Sequence, residues 1–305
     1  MAAISRAQMM KELLPGLNAL FGLTYKEYED ESKEIYESES SDRAFEEEVQ
    51  LSGFNQAPVK AEGSAITYDT AQEVWTARYT HQTVAMGFSI TEEAIEDNLY
   101  DSLSGRYTKA LARAMSYTKQ IKAAFPLNEG LPTANGFDSG DGVSMINLLH
   151  PRVDGGFNAN TPAIQADLNE SSLEQAVIDI ADFRDQRGLK IATRPRKLII
   201  PPGSTFVAAR ILDSELRAGT ADNDINALRT NGSIPEGWKV NHFLTDPDCW
   251  YIITDCPNGM KHFTRSPLTT AMDSDFDTTN SRFRARERYS FGVSDPLGIY
   301  GSAGA

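Results

Sequence analysis

Four arginines at alternate positions, Arg282, Arg284, Arg286 and Arg288, are the residues best placed to do specific chemistry. In an extended segment successive side chains point to opposite faces. The four guanidiniums therefore share one face of a strand, while Phe283, Ala285, Tyr289, Phe291 and Val293 fill most of the other. A planar guanidinium pairs bidentately with a carboxylate, so the stripe is suited to an anionic partner. Its plainer use is as a basic, solvated edge that discourages sheet aggregation. The acids are concentrated at the other end of the chain. Between Lys26 and Gln50 eleven acids stand against three bases, a net charge of −8 out of −14 for the whole sequence. Glu46, Glu47 and Glu48 close that window, and with the arginines they are the expected subunit-interface residues.

Other constellations fall short of a site. Asp273-Ser-Asp-Phe-Asp277 opens like a calcium loop, but its sixth position is Thr278 instead of Gly and its twelfth is Arg284 instead of Glu. Cys249, Cys256, His242 and His262 lack a close Cys-x-x-Cys or His pair, and the thiols flank the apparent strand Trp250–Thr254 on opposite faces. They are expected to be buried, reduced, structural cysteines. His81 and His150 stand alone and are expected to serve packing or a turn. No Gly-rich phosphate loop, nucleophile elbow or metalloprotease helix is present, and Gly136, Gly140 and Gly142 have no strand-to-helix context. The sequence therefore predicts no catalytic, cofactor-binding or metal residues, which leaves a hydrolase or metal enzyme as a remote alternative.

Composition narrows the class further. With 40% hydrophobic and 24% charged residues the chain reads as globular, and its acidity disfavours tight binding of a nucleic acid. It leaves room for a container of DNA, which works better when its surface does not grip the polyanion. No apolar run reaches the ~18 residues of a membrane span. Met1–Leu23 is interrupted by Lys11, Glu12, Pro15 and Gly16, so no signal-peptide core is expected there.

The elements that must position these residues are legible in outline. Residues 1–46 read as a weakly helical, then acidic arm, with Tyr25, Tyr28, Ile35, Tyr36 and Phe45 interleaved among the acids so that it can pack. Two extended runs, Val49–Phe54 and Val74–Phe88, surround a Pro/Gly-rich centre and read as a long projecting hairpin with Lys60 and Glu62 at its tip. Ser89 stands three residues before Glu92, a capping-box spacing. Ile95, Leu99, Leu103, Tyr107, Leu111, Met115, Ile121 and Phe125 then recur at helical spacing up to Pro126, a rod on the order of 50 Å. A second helix is expected from a Ser171 cap to Gly188, followed by strands at Lys197–Ile200, Lys239–Leu244, Trp250–Thr254 and Met260–Phe263. This is an α+β pattern without internal repeats.

In this order the elements resemble the major capsid proteins of tailed bacteriophages with the Hong Kong 97-type fold. The residues that carry the resemblance are Arg282–Ser302, Arg196-Lys-Leu-Ile-Ile-Pro-Pro202, Gly219–Asn226, Thr67-Tyr-Asp69 and Gly87–Glu93. It implies an N-terminal arm (1–46), an extended E-loop (47–88), a peripheral domain built from a spine helix (89–126) and a return strand (271–293), an axial domain (127–270), and a tail (294–305) that returns to it. It further implies a structural, non-enzymatic subunit that assembles with itself into hexamers and pentamers of an icosahedral shell. That shell would enclose double-stranded DNA without tight specific binding, within a virion assembled in the host cytoplasm. Expected partners are a portal protein, a separate scaffolding protein and a decoration protein, with no membrane. An encapsulin-like nanocompartment shell of the same fold is the alternative. The interface set implied is Arg282, Arg284, Arg286, Arg288, Glu46, Glu47, Glu48, Lys60 and Glu62.

Overall fold

The computed structural model describes residues 6–91, 93, 100–131, 136–216, 224–274 and 280–305. A strand with one apolar face must bury it, and two sheets do so here. In the first sheet, β11 (Ser281–Val293) lies between β10 (Met260–Ser274) and β4 (Gln82–Ile90), antiparallel to both; β1 (Glu37–Ser40) runs parallel to the start of β10. Along β11 burial alternates: Phe283, Ala285, Glu287 and Tyr289 face inward, while Arg282, Arg284 and Arg286 face out. Two helices, α1 (Arg6–Glu27) and α2 (Tyr100–Glu129), pack on the inner face, where Leu17, Phe21, Leu111, Ala112 and Met115 meet Phe283 and Ala285.

A short pair, β5 (His150–Pro151) with β6 (Phe157–Asn158), stands apart, and the second sheet has the order β12 (Ile299–Ser302), β9 (Trp250–Thr254), β7 (Pro195–Ile200), β8 (Trp238–Val240). Every residue of β9 is buried, because both faces of the sheet are covered. Tyr251 and Ile253 join the arm residues Ile35 and Tyr36 and the end of α2 on one side. Trp250 and Ile252 join α3 (Glu170–Ala181) and α4 (Thr205–Leu212) on the other, with α5 (Ala227–Thr230) at the edge.

Several boundaries differ from the sequence reading, each for a local reason. Helix α2 runs through Pro126 to Glu129. Proline forfeits one intrahelical bond, but Leu127 and Leu131 are buried beyond it and the Tyr251 hydroxyl donates to the Leu127 carbonyl at 2.8 Å. Helix α3 is capped by Asn169 reciprocally with Ser172, not by Ser171, and it ends at Ala181; Gly188 (φ +82) closes the next turn instead. The strand expected at 239–244 stops at Val240, and the one expected at 260–263 continues to Ser274. Its polar second half hides the period, and Pro267, which cannot donate to the ladder, is absorbed in a register shift between Ser266 and Thr269. Met260–Ser274 and Ser281–Val293 thus belong to the first sheet, and the chain returns to the second only at β12. Glu92, Ile95 and Leu99, as well as residues 217–223 and 275–279, lie outside the described residues.

The hairpin pairs β2 (Phe45–Leu51) with β3 (Glu73–Thr80), and residues 54–72 between them are exposed without strand structure. The second extended run does not stay in the hairpin. At His81, held between Ser41 Oγ and Ser290 Oγ (2.9 Å each), the chain leaves it and becomes β4.

The tail is fixed against the loop before β10. An added Cβ at Gly298 would overlap the Cα of Gly259. Gly298→Ala is therefore expected to destabilise the fold by about 1–3 kcal/mol, read as a lower thermal midpoint, because backbone meets backbone there and neither can yield cheaply.

Candidate subunit interface

The arginine stripe rises from a floor of small side chains. In the ladders, Arg284 stands opposite Gly87 and Ala271, Arg286 opposite Ala85 and Thr269, Arg288 opposite Thr83 and Ser266, and Arg282 opposite Ser89 and Asp273. At Gly87 the strands approach so closely that a Cβ would lie 2.6 Å from the Phe283 carbonyl oxygen. Short neighbours leave Arg284 and Arg286 exposed above the sheet, whereas Arg288 is half-buried. Among the described residues no carboxylate pairs with Arg284 or Arg286, and Arg288 reaches only the Ala44 carbonyl, at 3.4 Å.

The structure does not bring the expected acids to this stripe within one chain. Glu46 accepts from Ser41 Oγ at 2.7 Å and lies 4.0 Å from Arg43. Glu47 is 3.7 Å from Arg78, whose guanidinium covers the Phe45 ring at 4.0 Å. Glu48 pairs with Lys261 and accepts from Ser294. Lys60 and Glu62 are exposed in the loop beyond the hairpin strands.

Lysines that sequence reasoning passed over hold the acidic arm. Lys119 meets Asp30 at 2.9 Å, Lys197 meets Glu34 at 2.7 Å and Glu236 at 3.0 Å, and buried Lys261 meets Glu39 at 3.1 Å as well as Glu48. Burial opposes the charge of Asp30, but hydrogen bonds from Ser32, Lys119 and Gln120 hold its carboxyl below the usual range. Burial likewise opposes the charge of Lys261, and Glu48 and Glu39 outweigh it, raising its pKa. The available signal was a lone lysine in the apolar run Met260-Lys-His-Phe263, a position that demands a partner.

Two apolar surfaces adjoin this network. Phe54, Val59, Ile66 and Tyr68 are 60%, 101%, 64% and 90% exposed on the loop of the hairpin. Tyr117, Ile121 and Phe125 form a half-exposed stripe along α2 and line a cleft of about 730 Å³ between α2, β3 and β11.

The groups that could suggest chemistry are engaged structurally. His150 bridges Asp141 (2.6 Å) and Asn160 (3.1 Å) in the core. Cys249 is buried, its thiol pushed up to about 12 mainly by burial, and Cys256 packs beside the opposite core with its pKa also raised. His242 is exposed against Glu31 at 2.7 Å. Among the described residues no three His, Cys, Asp or Glu side chains are grouped to hold a metal ion, and no helix is long and apolar enough to cross a membrane.

A long helix and an arm packed on one sheet, a second sheet buried between helices, and an exposed hairpin together define the Hong Kong 97-type capsid fold. The chain is similar to the virus-like particle from Pyrococcus furiosus, with a TM-score of 0.55 at 12% identity over 94% of this chain and 98% of that one. It is similar to the capsid of Myoviridae Phage XM1 (TM-score 0.54, 12% identity, 89% of each chain). It also resembles the SrpI encapsulin of Synechococcus elongatus PCC 7942 (TM-score 0.53, 7% identity, 89% of this chain and 86% of that one). The family model described as phage capsid protein matches residues 73–302, and the chain belongs to that family. It is a structural major capsid protein. No curated protein matches it in sequence.

Proposed function

We propose that this chain assembles as hexamers and pentamers into an icosahedral shell that encloses double-stranded DNA, and that it catalyses no reaction. The observation that carries the reading is the exposed loop 54–72. It places Phe54, Val59, Ile66 and Tyr68 in water with no core of its own to receive them. Large exposed apolar groups grouped on one projection mark a contact surface. In this reading the hairpin is the E-loop and lies over a neighbouring subunit. Residues 1–46 serve as the arm, α2 with the first sheet as the peripheral domain, and the second sheet with its helices as the axial domain. Lys60 and the arginine stripe meet carboxylates of adjacent copies, and Glu62 meets a cation there. Its partners are a portal protein, a separate scaffolding protein that guides assembly and a decoration protein, and the virion assembles in the host cytoplasm.

The likeness to an encapsulin supports a second reading, a nanocompartment around cargo proteins. Sedimentation combined with the ratio of absorbance at 260 and 280 nm separates the two. Fast-sedimenting particles rich in DNA are expected from infected or induced cells; particles that co-purify with a stoichiometric enzyme and no DNA would favour the nanocompartment.

A further inference from the structure

The inward face of β11 carries one residue that does not belong in an apolar layer. Glu287 is only 5% exposed, between Ala285 and Tyr289 and beneath α1. Its place in the ladder is irregular, since Pro267 and Leu268 bulge opposite it on β10 while Val84 of β4 pairs on the other side. One carboxyl oxygen accepts a long bond, 3.5 Å, from the Tyr25 hydroxyl near the end of α1, and the other has no partner. The same sheet and the helix packed on it hold further buried polar atoms without partners: Tyr289 Oη, His262 Nε2 on β10 and Gln120 Oε1 on α2. The charges that act on it are Lys119 on α2, which favours its ionised form, and Asp30 just beyond α1, which opposes it. Those two pair with each other at 2.9 Å, so little net charge is left to stabilise a carboxylate.

A buried carboxyl with one poor hydrogen bond prefers to be neutral, because ionisation there forfeits solvation that nothing replaces. Burial accordingly pushes Glu287 up to about 7 from an ordinary 4.5, and it lowers His262, against Tyr289 and Phe291, to about 4, so that ring stays neutral. Burial raises Tyr25 and Tyr289 as well, keeping both hydroxyls protonated.

We propose that Glu287 is a proton-operated latch for the N-terminal arm: neutral, it lets α1 lie sealed on the sheet, and ionised, it draws in water and loosens α1 from its seat at Tyr25. Among the described residues the Tyr25 hydroxyl is the hydrogen bond from α1 to this carboxyl; at 3.5 Å it favours the carboxylate too weakly to offset burial, and the residues after it are held separately by Lys119 and Lys197. Loosening is therefore confined to α1. Because the folded-state pKa is raised, the latch holds fully below about pH 4.5, weakens as pH rises from there, and is released above about 7. The latch follows from the fold and does not depend on shell formation.

Hydrogen–deuterium exchange on the full chain, with rates corrected for intrinsic chemistry, reads the latch in peptides spanning residues 17–28. Exchange there should be at least about tenfold faster at pH 8.5 than at pH 5.5, with β9 unchanged. Glu287→Gln, neutral at every pH, should keep the slow rate at pH 8.5. Lys119→Met removes the cation that favours ionisation and should move the midpoint to higher pH even if the Gln variant fails to fold. The latch is overturned if the wild-type arm exchanges alike at both pH values, if Glu287→Gln loosens with pH as the wild type does, or if the Lys119→Met midpoint stays put or falls.

Discussion

Reversing two charges on the outer face of β11, Arg284→Glu with Arg286→Glu, should abolish shell formation at physiological salt while leaving the subunit folded. Both side chains stand clear of the sheet and have no carboxylate partner among the described residues, so their reversal breaks nothing inside the chain. The unfolding free energy of the isolated subunit should change by no more than surface substitutions usually cause, about 0.5 kcal/mol. Each exposed ion pair is worth only about 0–1 kcal/mol. A closed lattice repeats the contact at every subunit, and reversal replaces attraction with repulsion, so the concentration needed for assembly should rise at least about a hundredfold. Wild-type assembly should in turn weaken with salt, as exposed charges do. Normal particles from the double variant at physiological salt would remove the stripe from the interface.

Replacing Lys261 with Met should cost the subunit itself about 3 kcal/mol, since it leaves carboxylates facing a buried site without their cation. Lys261 joins three elements: Glu39 on β1, Glu48 on β2 and its own strand β10. Urea unfolding should show the loss, and Glu48→Gln added to Lys261→Met should recover part of it, a coupling of about 1 kcal/mol or more. The pH dependence has a definite sign. The folded pKa of Lys261 is raised above 10.5, so its contribution is complete below that value and is lost as pH rises through the folded pKa. The gap between wild type and variant should therefore be constant from pH 7 to 9. An equal stability of the two proteins would show that Lys261 does not tie the arm and the hairpin base to the core.

Much of the architecture could be read from periodicity. The strict alternation of Arg282–Tyr289 placed the guanidiniums on one face and Phe283 in the core, because a half-buried strand has only one such arrangement. Helical spacing located α2 down to Phe125, but its passage through Pro126 depended on Leu127 and Leu131 finding the second core, a tertiary fact. β10 escaped notice beyond Phe263 because its Thr- and Ser-rich half is held by ladder bonds to β11 and not by an apolar face of its own. The acidic arm was visible as charge, yet its partners were not. Lys119, Lys197 and Lys261 lie 89, 163 and 213 residues from the acids they bind, and pattern within a window cannot see across that distance. Glu287 was equally hidden: its alternation put it inward among apolar residues, and only burial revealed its consequence.

Electron micrographs of the purified protein test the central claim most directly. The account predicts rings of six and five subunits and closed shells built from them, with salt and the Arg284/Arg286 reversal both shifting the population toward free subunits. A uniform field of isolated subunits at every concentration and salt tried, with or without the other virion proteins, would contradict it.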